Sequence, residues 1–134
     1  MDALAIVGSI FIFVAALIHL LIFVMESVLW ARPVVWKRFG LATQEHAEIV
    51  KPMAFNQGFY NVFLAIGAGL GLVLLGSTTL FQAGLALSIF AAGSMVLAAT
   101  VLIASSPKLA RAAIIQGLAP VVGIVFLVLS IVAG

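Results

Sequence analysis

Four long apolar stretches constrain this chain more than any other feature. A helix crosses a bilayer with about 20 apolar residues at a rise of about 1.5 Å each. A strand facing lipid would leave its backbone groups unpaired, so the spans must be helices. We therefore expect an all-α membrane protein, a four-transmembrane-helix bundle that forms one domain over residues 1–134. The predicted helices cover about residues 3–30, 43–75, 80–104 and 110–133.

The composition excludes a soluble protein. Only 7% of the residues are charged and 66% are hydrophobic, whereas a soluble domain carries about 25% charged residues. There is no cysteine, which excludes disulfides and thiolate chemistry. The acidic flank Met1-Asp2 and the length of the first apolar stretch argue against a cleavable signal peptide.

The positive charges predict the orientation. All six Lys and Arg residues lie in or beside two connections, residues 31–52 and 105–109. The positive-inside rule places both connections in the cytoplasm and both termini outside. Cations confined to two loops do not indicate a nucleic-acid partner, so membrane lipid is the expected surrounding. Trp30 and Trp36 suit the belt of aromatic residues at the headgroups.

The second helix has a recognisable start. Thr43-Gln44-Glu45-His46 is typical of a helix N-terminus, so the helix should begin near Thr43 and reach Pro52 before entering the membrane. Small residues such as Gly67 and Gly71 allow helices to approach closely. Packing within one bundle is the favoured interpretation, and a homo-oligomer stays open.

Polar side chains gather on three of the four helices. The first helix carries His19 and Glu26 on one face, the second carries four polar side chains within six residues, and the fourth carries Gln116 one turn before Pro120. The four on the second helix are Asn56, Gln57, Tyr60 and Asn61.

Counting the helical rise from the loop ends places these side chains in the cytoplasmic half of the membrane. His19 and Asn61 then lie roughly 15 Å deep. The other members, roughly 6 to 9 Å deep, are Glu26, Asn56, Gln57 and Gln116. We interpret the set as a polar pocket that opens toward the cytoplasm.

Each member also has a structural interpretation. Glu26 could pair with a loop cation, Arg32, Lys51 or Arg111, and the amides could simply join helices. His19 could donate a hydrogen bond to Asn61 or Tyr60. No metal site is expected, because the second histidine lies in the loop region, and no cofactor is indicated.

The chain resembles a known family. The resemblance is carried by motifs in all parts of the chain except the third helix: His19 through Glu26 to Trp30, Arg38-Phe39-Gly40-Leu41, the acidic helix start with Glu45 and Glu48, Asn56-Gln57-Gly58 followed by Tyr60-Asn61 and Leu64-Ala65, and Gln116 with Pro120. They resemble the bacterial membrane family called domain of unknown function 1304, over essentially the whole chain. The resemblance implies a four-helix, multi-pass protein of the bacterial cytoplasmic (inner) membrane and supplies no activity.

Three functions are consistent with these patterns. The favoured one is a pocket for a small amphipathic molecule, with Asn56, Gln57, Tyr60, Asn61 and Gln116 as ligand-binding residues. Glu26 would be its catalytic acid or base, with His19 as partner, if the pocket also performs an isomerase-like reaction. The alternatives are a transporter or channel with a proton relay, and a structural subunit whose amides lock the bundle.

Overall fold

The computed structural model describes residues 1–133 and confirms the all-α prediction, since these residues contain no strand. Four helices are long and apolar enough to cross a membrane. Helix α1 continues beyond Phe23 as a π-helical segment, Val24–Val28. The α-helices are α1 Ala3–Phe23, the short α2 Pro33–Trp36, α3 Gln44–Leu75, α4 Phe81–Ser105 and α5 Ala110–Ala133.

The long helices form an up-and-down bundle with a square cross-section. Each packs against two neighbours: α1 against α3 and α5, and α4 against the same two, while the diagonal pair α1 and α4 scarcely touches. Every adjacent pair is therefore antiparallel. This topology brings all six cations to one end, which we call the basic end: Arg32, Lys37, Arg38, Lys51, Lys108 and Arg111.

Small residues set the distances between the helices. Gly84 lies so close to α3 that an added Cβ would stand 2.8 Å from the Gly71 carbonyl oxygen. On the opposite side of the bundle, where α5 packs against α1, an added Cβ at Gly123 would stand 2.6 Å from Cδ1 of Ile12. Within lipid, helix association depends on such close packing, because the tails are as apolar as the side chains.

The basic end has a core of its own, because α3 extends beyond the membrane-crossing part of the bundle. Thr43 caps α3 by accepting a hydrogen bond from the His46 amide (3.2 Å), and Pro52 lies inside the helix as predicted. The indole of Trp30 donates to the Ala47 carbonyl (2.9 Å). Trp30 and Trp36 are only 6% and 3% exposed, so both rings belong to this core, and their place at the level of the headgroups stays a prediction.

Two glycines of α4 provide a test of this packing. Gly84→Ala should lower the free energy of unfolding by about 1–3 kcal/mol, because the new methyl group meets backbone that cannot rotate away. The matched control is Gly93→Ala, where an added Cβ has nothing within 4 Å. That variant should be neutral or stabilising by up to about 1 kcal/mol. If an SDS unfolding titration gives the two variants the same free energy of unfolding, the close approach of Gly84 to α3 is contradicted.

Candidate functional site

The π-helical segment is the unusual feature of α1. The Leu29 amide bonds to the Val24 carbonyl five residues back (2.9 Å), instead of the four residues of an α-helix. Such segments are rare and occur frequently at functional sites. This one carries Glu26 and Ser27, and it packs against α3. The apolar pattern predicts a regular helix over this stretch, and the structure differs from that prediction at Val24–Val28.

Glu26 bonds to α3 rather than to a cation. The side-chain amide of Asn61 donates to Oε2 of Glu26 (2.9 Å) and also to the Gln57 carbonyl (3.0 Å). Both side chains are partly buried. Among residues 1–133 the salt bridge present joins Lys51 to Glu48 instead. The alternative in which Glu26 pairs with a loop cation is therefore not observed among residues 1–133.

The depths expected from the sequence separate the backbones of Glu26 and Asn61 by two turns or less, and the side chains bridge that separation. Side chains on a helix lean toward its N-terminus. Because α1 and α3 are antiparallel, Glu26 leans into the bundle and Asn61 leans toward the basic end. The two side chains thus reach each other from different levels, which counting the rise along each backbone does not reveal.

A second bond fixes the same seam. The Ser27 hydroxyl donates to the Phe55 carbonyl (2.9 Å). Gly58 makes this approach possible, because an added Cβ would collide with the Ser27 hydroxyl and lie 3.2 Å from the Cβ of Glu26. Ser27 and Gly58 were not among the site residues expected from the sequence, although Gly58 lies within the polar motif of the family resemblance and was a usable signal.

The remaining polar residues of α3 lie at the surface. Asn56, Gln57 and Tyr60 are exposed, Tyr60 by 55%. The hydrogen bonds of residues 1–133 include none from these three side chains. We call this group, together with Glu26 and Asn61, the polar band.

Exposed aromatic rings adjoin the polar band on α3. Phe59 packs against Phe55 and Phe63, with ring centroids 5.0 and 6.3 Å away. Phe59 also meets Phe23 of α1 edge-on at 5.2 Å, across the seam. This part of α3 therefore presents amides and a phenol beside a row of phenyl rings, and both kinds of group are exposed.

Two cavities of the described residues lie away from the polar band. One is a groove between α4 and α5, and the other lies at the end of the bundle opposite the basic end. The polar band is thus described as a surface of α3 and its seam with α1. No cluster of three or more His, Cys, Asp or Glu suited to a metal occurs within residues 1–133.

His19 is a core residue, 1% exposed. Its Nδ1 lies 2.9 Å from the Ala15 carbonyl. Since a carbonyl only accepts, Nδ1 carries a proton and donates it, and a neutral ring then has its acceptor at Nε2. The structural alternative in which His19 donates to Asn61 or Tyr60 is therefore not observed. His19 and Glu26 have different partners, so the structure does not join them as a pair.

Gln116 is partly buried on α5, and Pro120 lies fully buried inside the same helix. Ile12 packs on Gly123 across the α1–α5 seam. The positions seven residues nearer the basic end on each helix are His19 and Gln116, and two turns preserve the face. Helical periodicity thus places Gln116 near the level of His19, apart from the polar band.

The Glu26–Asn61 bond can be measured by a double-mutant cycle. Glu26→Ala, Asn61→Ala and the double variant should give a coupling energy of about 0.6–1.7 kcal/mol, the range found for hydrogen bonds between membrane helices. The measurement is unfolding in SDS-titrated micelles. The matched cycle of Glu26→Ala with Asn56→Ala, whose amide is exposed, should give a coupling near zero. Similar couplings in the two cycles would contradict the bond.

Comparison with known proteins identifies the family of the chain but no activity, ligand or partner. No curated protein and no solved structure matches the chain. The family described as "Protein of unknown function (DUF1304)" matches residues 13–128, a range that holds the π-helical segment, the polar band, His19 and Gln116. The chain therefore belongs to the DUF1304 family of proteins of unknown function.

Proposed function

We propose that this protein binds a small amphipathic molecule taken from the membrane, with the polar end of that molecule at the polar band. The observation that carries the proposal is unused hydrogen-bonding capacity. Asn56, Gln57 and Tyr60 are exposed on a helix long and apolar enough to cross a membrane, and their side chains have no bond within residues 1–133. Where water is scarce, such groups gain from a polar partner.

The composition of the surface indicates the class of ligand. The amides both donate and accept, the phenol does the same, and Glu26 adds two carboxyl oxygens. This mixture suits an uncharged or weakly polar end, such as an alcohol or an amide. Phe55, Phe59 and Phe63 provide an apolar surface for the remainder of the molecule.

Within this proposal Glu26 is the acid or base of any proton transfer to the ligand, because it is the ionisable group held among the amides. Asn61 positions it through the 2.9 Å bond. His19 lies in the core, bonded to Ala15, so its contribution would be indirect, through the packing of α1. Gln116, at the level of His19, would act in the same indirect way.

Photo-crosslinking tests the site. We expect a diazirine-bearing dodecanol to label the peptide that contains Gln57 and Tyr60 in bilayer nanodiscs. Gln57→Ala should lower this labelling about fivefold, the equivalent of one hydrogen bond of about 1 kcal/mol. Gln82→Ala is the matched control, because Gln82 is also exposed but lies at the opposite end of the bundle. Equal labelling of the two variants would refute the site.

A second variant separates binding from bundle stability. Glu26→Gln keeps an oxygen that can accept from Asn61, so the free energy of unfolding should stay within about 0.5 kcal/mol of wild type. The same variant loses the carboxyl group and should reduce labelling at least as much as Gln57→Ala. Wild-type labelling by Glu26→Gln would remove Glu26 from the site and leave it a purely structural role.

A further inference from the structure

A groove separates α4 from α5 on the outer surface of the bundle. It has a volume of about 250 Å³. Its floor consists of small buried residues, Ala99, Ala113 and Gly117, and an added Cβ at Gly117 would lie 2.9 Å from the Cβ of Ala99. The larger side chains Ile103 and Ile114 are exposed and form its walls.

The side chains that line this groove are apolar except for Thr100. Thr100 is the polar residue among the lining side chains, and its hydroxyl donates to the Val96 carbonyl (2.8 Å) within α4. On α5 the lining runs from Ala113 to Val121, about 12 Å of helix. That length approaches the depth of one leaflet, about half of the roughly 30 Å hydrocarbon core.

Positive charge lies at one end of the groove. Lys108 belongs to the connection that joins α4 to α5, so it lies where their seam ends. Arg111 precedes the lining residues Ile114 and Leu118 by three and seven positions, which places the three on one side of α5. Lys108 and Arg111 are exposed and have no ion pair among residues 1–133. No acidic residue occurs between positions 99 and 121.

The geometry points to a binding site for one anionic phospholipid, with its phosphate at Lys108 and Arg111 and an acyl chain in the α4–α5 groove. Lipids of this kind combine a negative headgroup with a chain of the right length for the groove. The charge at one end argues for a lipid over a helix of a second copy, since the basic ends of two copies would repel. This site lies on different helices from the polar band and does not depend on the proposed function.

Native mass spectrometry tests this site directly. The protein is offered equal amounts of phosphatidylglycerol and phosphatidylcholine with identical acyl chains. We expect wild type to retain one phosphatidylglycerol in preference. Lys108→Gln with Arg111→Gln should reduce that preference roughly tenfold or more. The matched control is Arg32→Gln with Arg38→Gln, which removes the same charge from the same end of the bundle. This control should preserve the preference for phosphatidylglycerol. If both double variants lose the preference for phosphatidylglycerol equally, the preference reflects general attraction between the basic end and anionic lipids. That result would overturn the site.

The groove has its own variant. Thr100→Phe fills it from an exposed lining position and should weaken retention of both lipids. Leu97→Phe adds an aromatic ring at a position that is 67% exposed on the same helix but outside the lining, and should behave as wild type. If the wild-type protein instead forms a dimer without bound lipid, and Thr100→Phe dissociates that dimer, the groove binds a second copy of the chain. That result would refute the lipid site.

Discussion

Where α1 passes α3 at Gly58, the two helices come close enough for side chains of the π-helical segment to bond across the seam. Ser27 bonds to the Phe55 carbonyl and Glu26 accepts from Asn61. Adding a single methyl group at Gly58 would collide with Ser27. The position of the Glu26 carboxyl group therefore depends on the absence of a side chain at Gly58 on the neighbouring helix.

These bonds explain part of the polar band and leave part of it unexplained. Interhelical hydrogen bonds in membranes contribute about 0.6 kcal/mol on average, so the two bonds at this seam can orient α1 on α3 but supply little of the bundle's stability. Close packing around Ile12 and Met95, both fully buried, supplies more. Neither effect requires amides at Asn56 and Gln57, whose exposed side chains are the reason for assigning a ligand to this surface.

The fold could be predicted from the sequence because four apolar stretches of sufficient length require four membrane-crossing helices. The same holds for the start of α3, since Thr43 and the residues after it form a local cap. Tertiary geometry decided the rest. No local sequence pattern predicts the π-helical segment around Glu26. Counting the backbone rise also ignores the opposite directions in which the side chains of Glu26 and Asn61 lean. A bond from His19 to a neighbouring helix was one alternative, whereas the structure bonds its ring to the Ala15 carbonyl on its own helix.

The most direct test of the central claim is a high-resolution density map of the protein crystallised from a lipidic mesophase. Our account predicts ordered non-protein density within hydrogen-bonding distance of Gln57 and Tyr60, with a polar end toward Glu26 and an extended part along Phe59. Exposed amides that instead bond to one another or to a second copy of the chain would contradict it. In that case the polar band would serve to hold helices together.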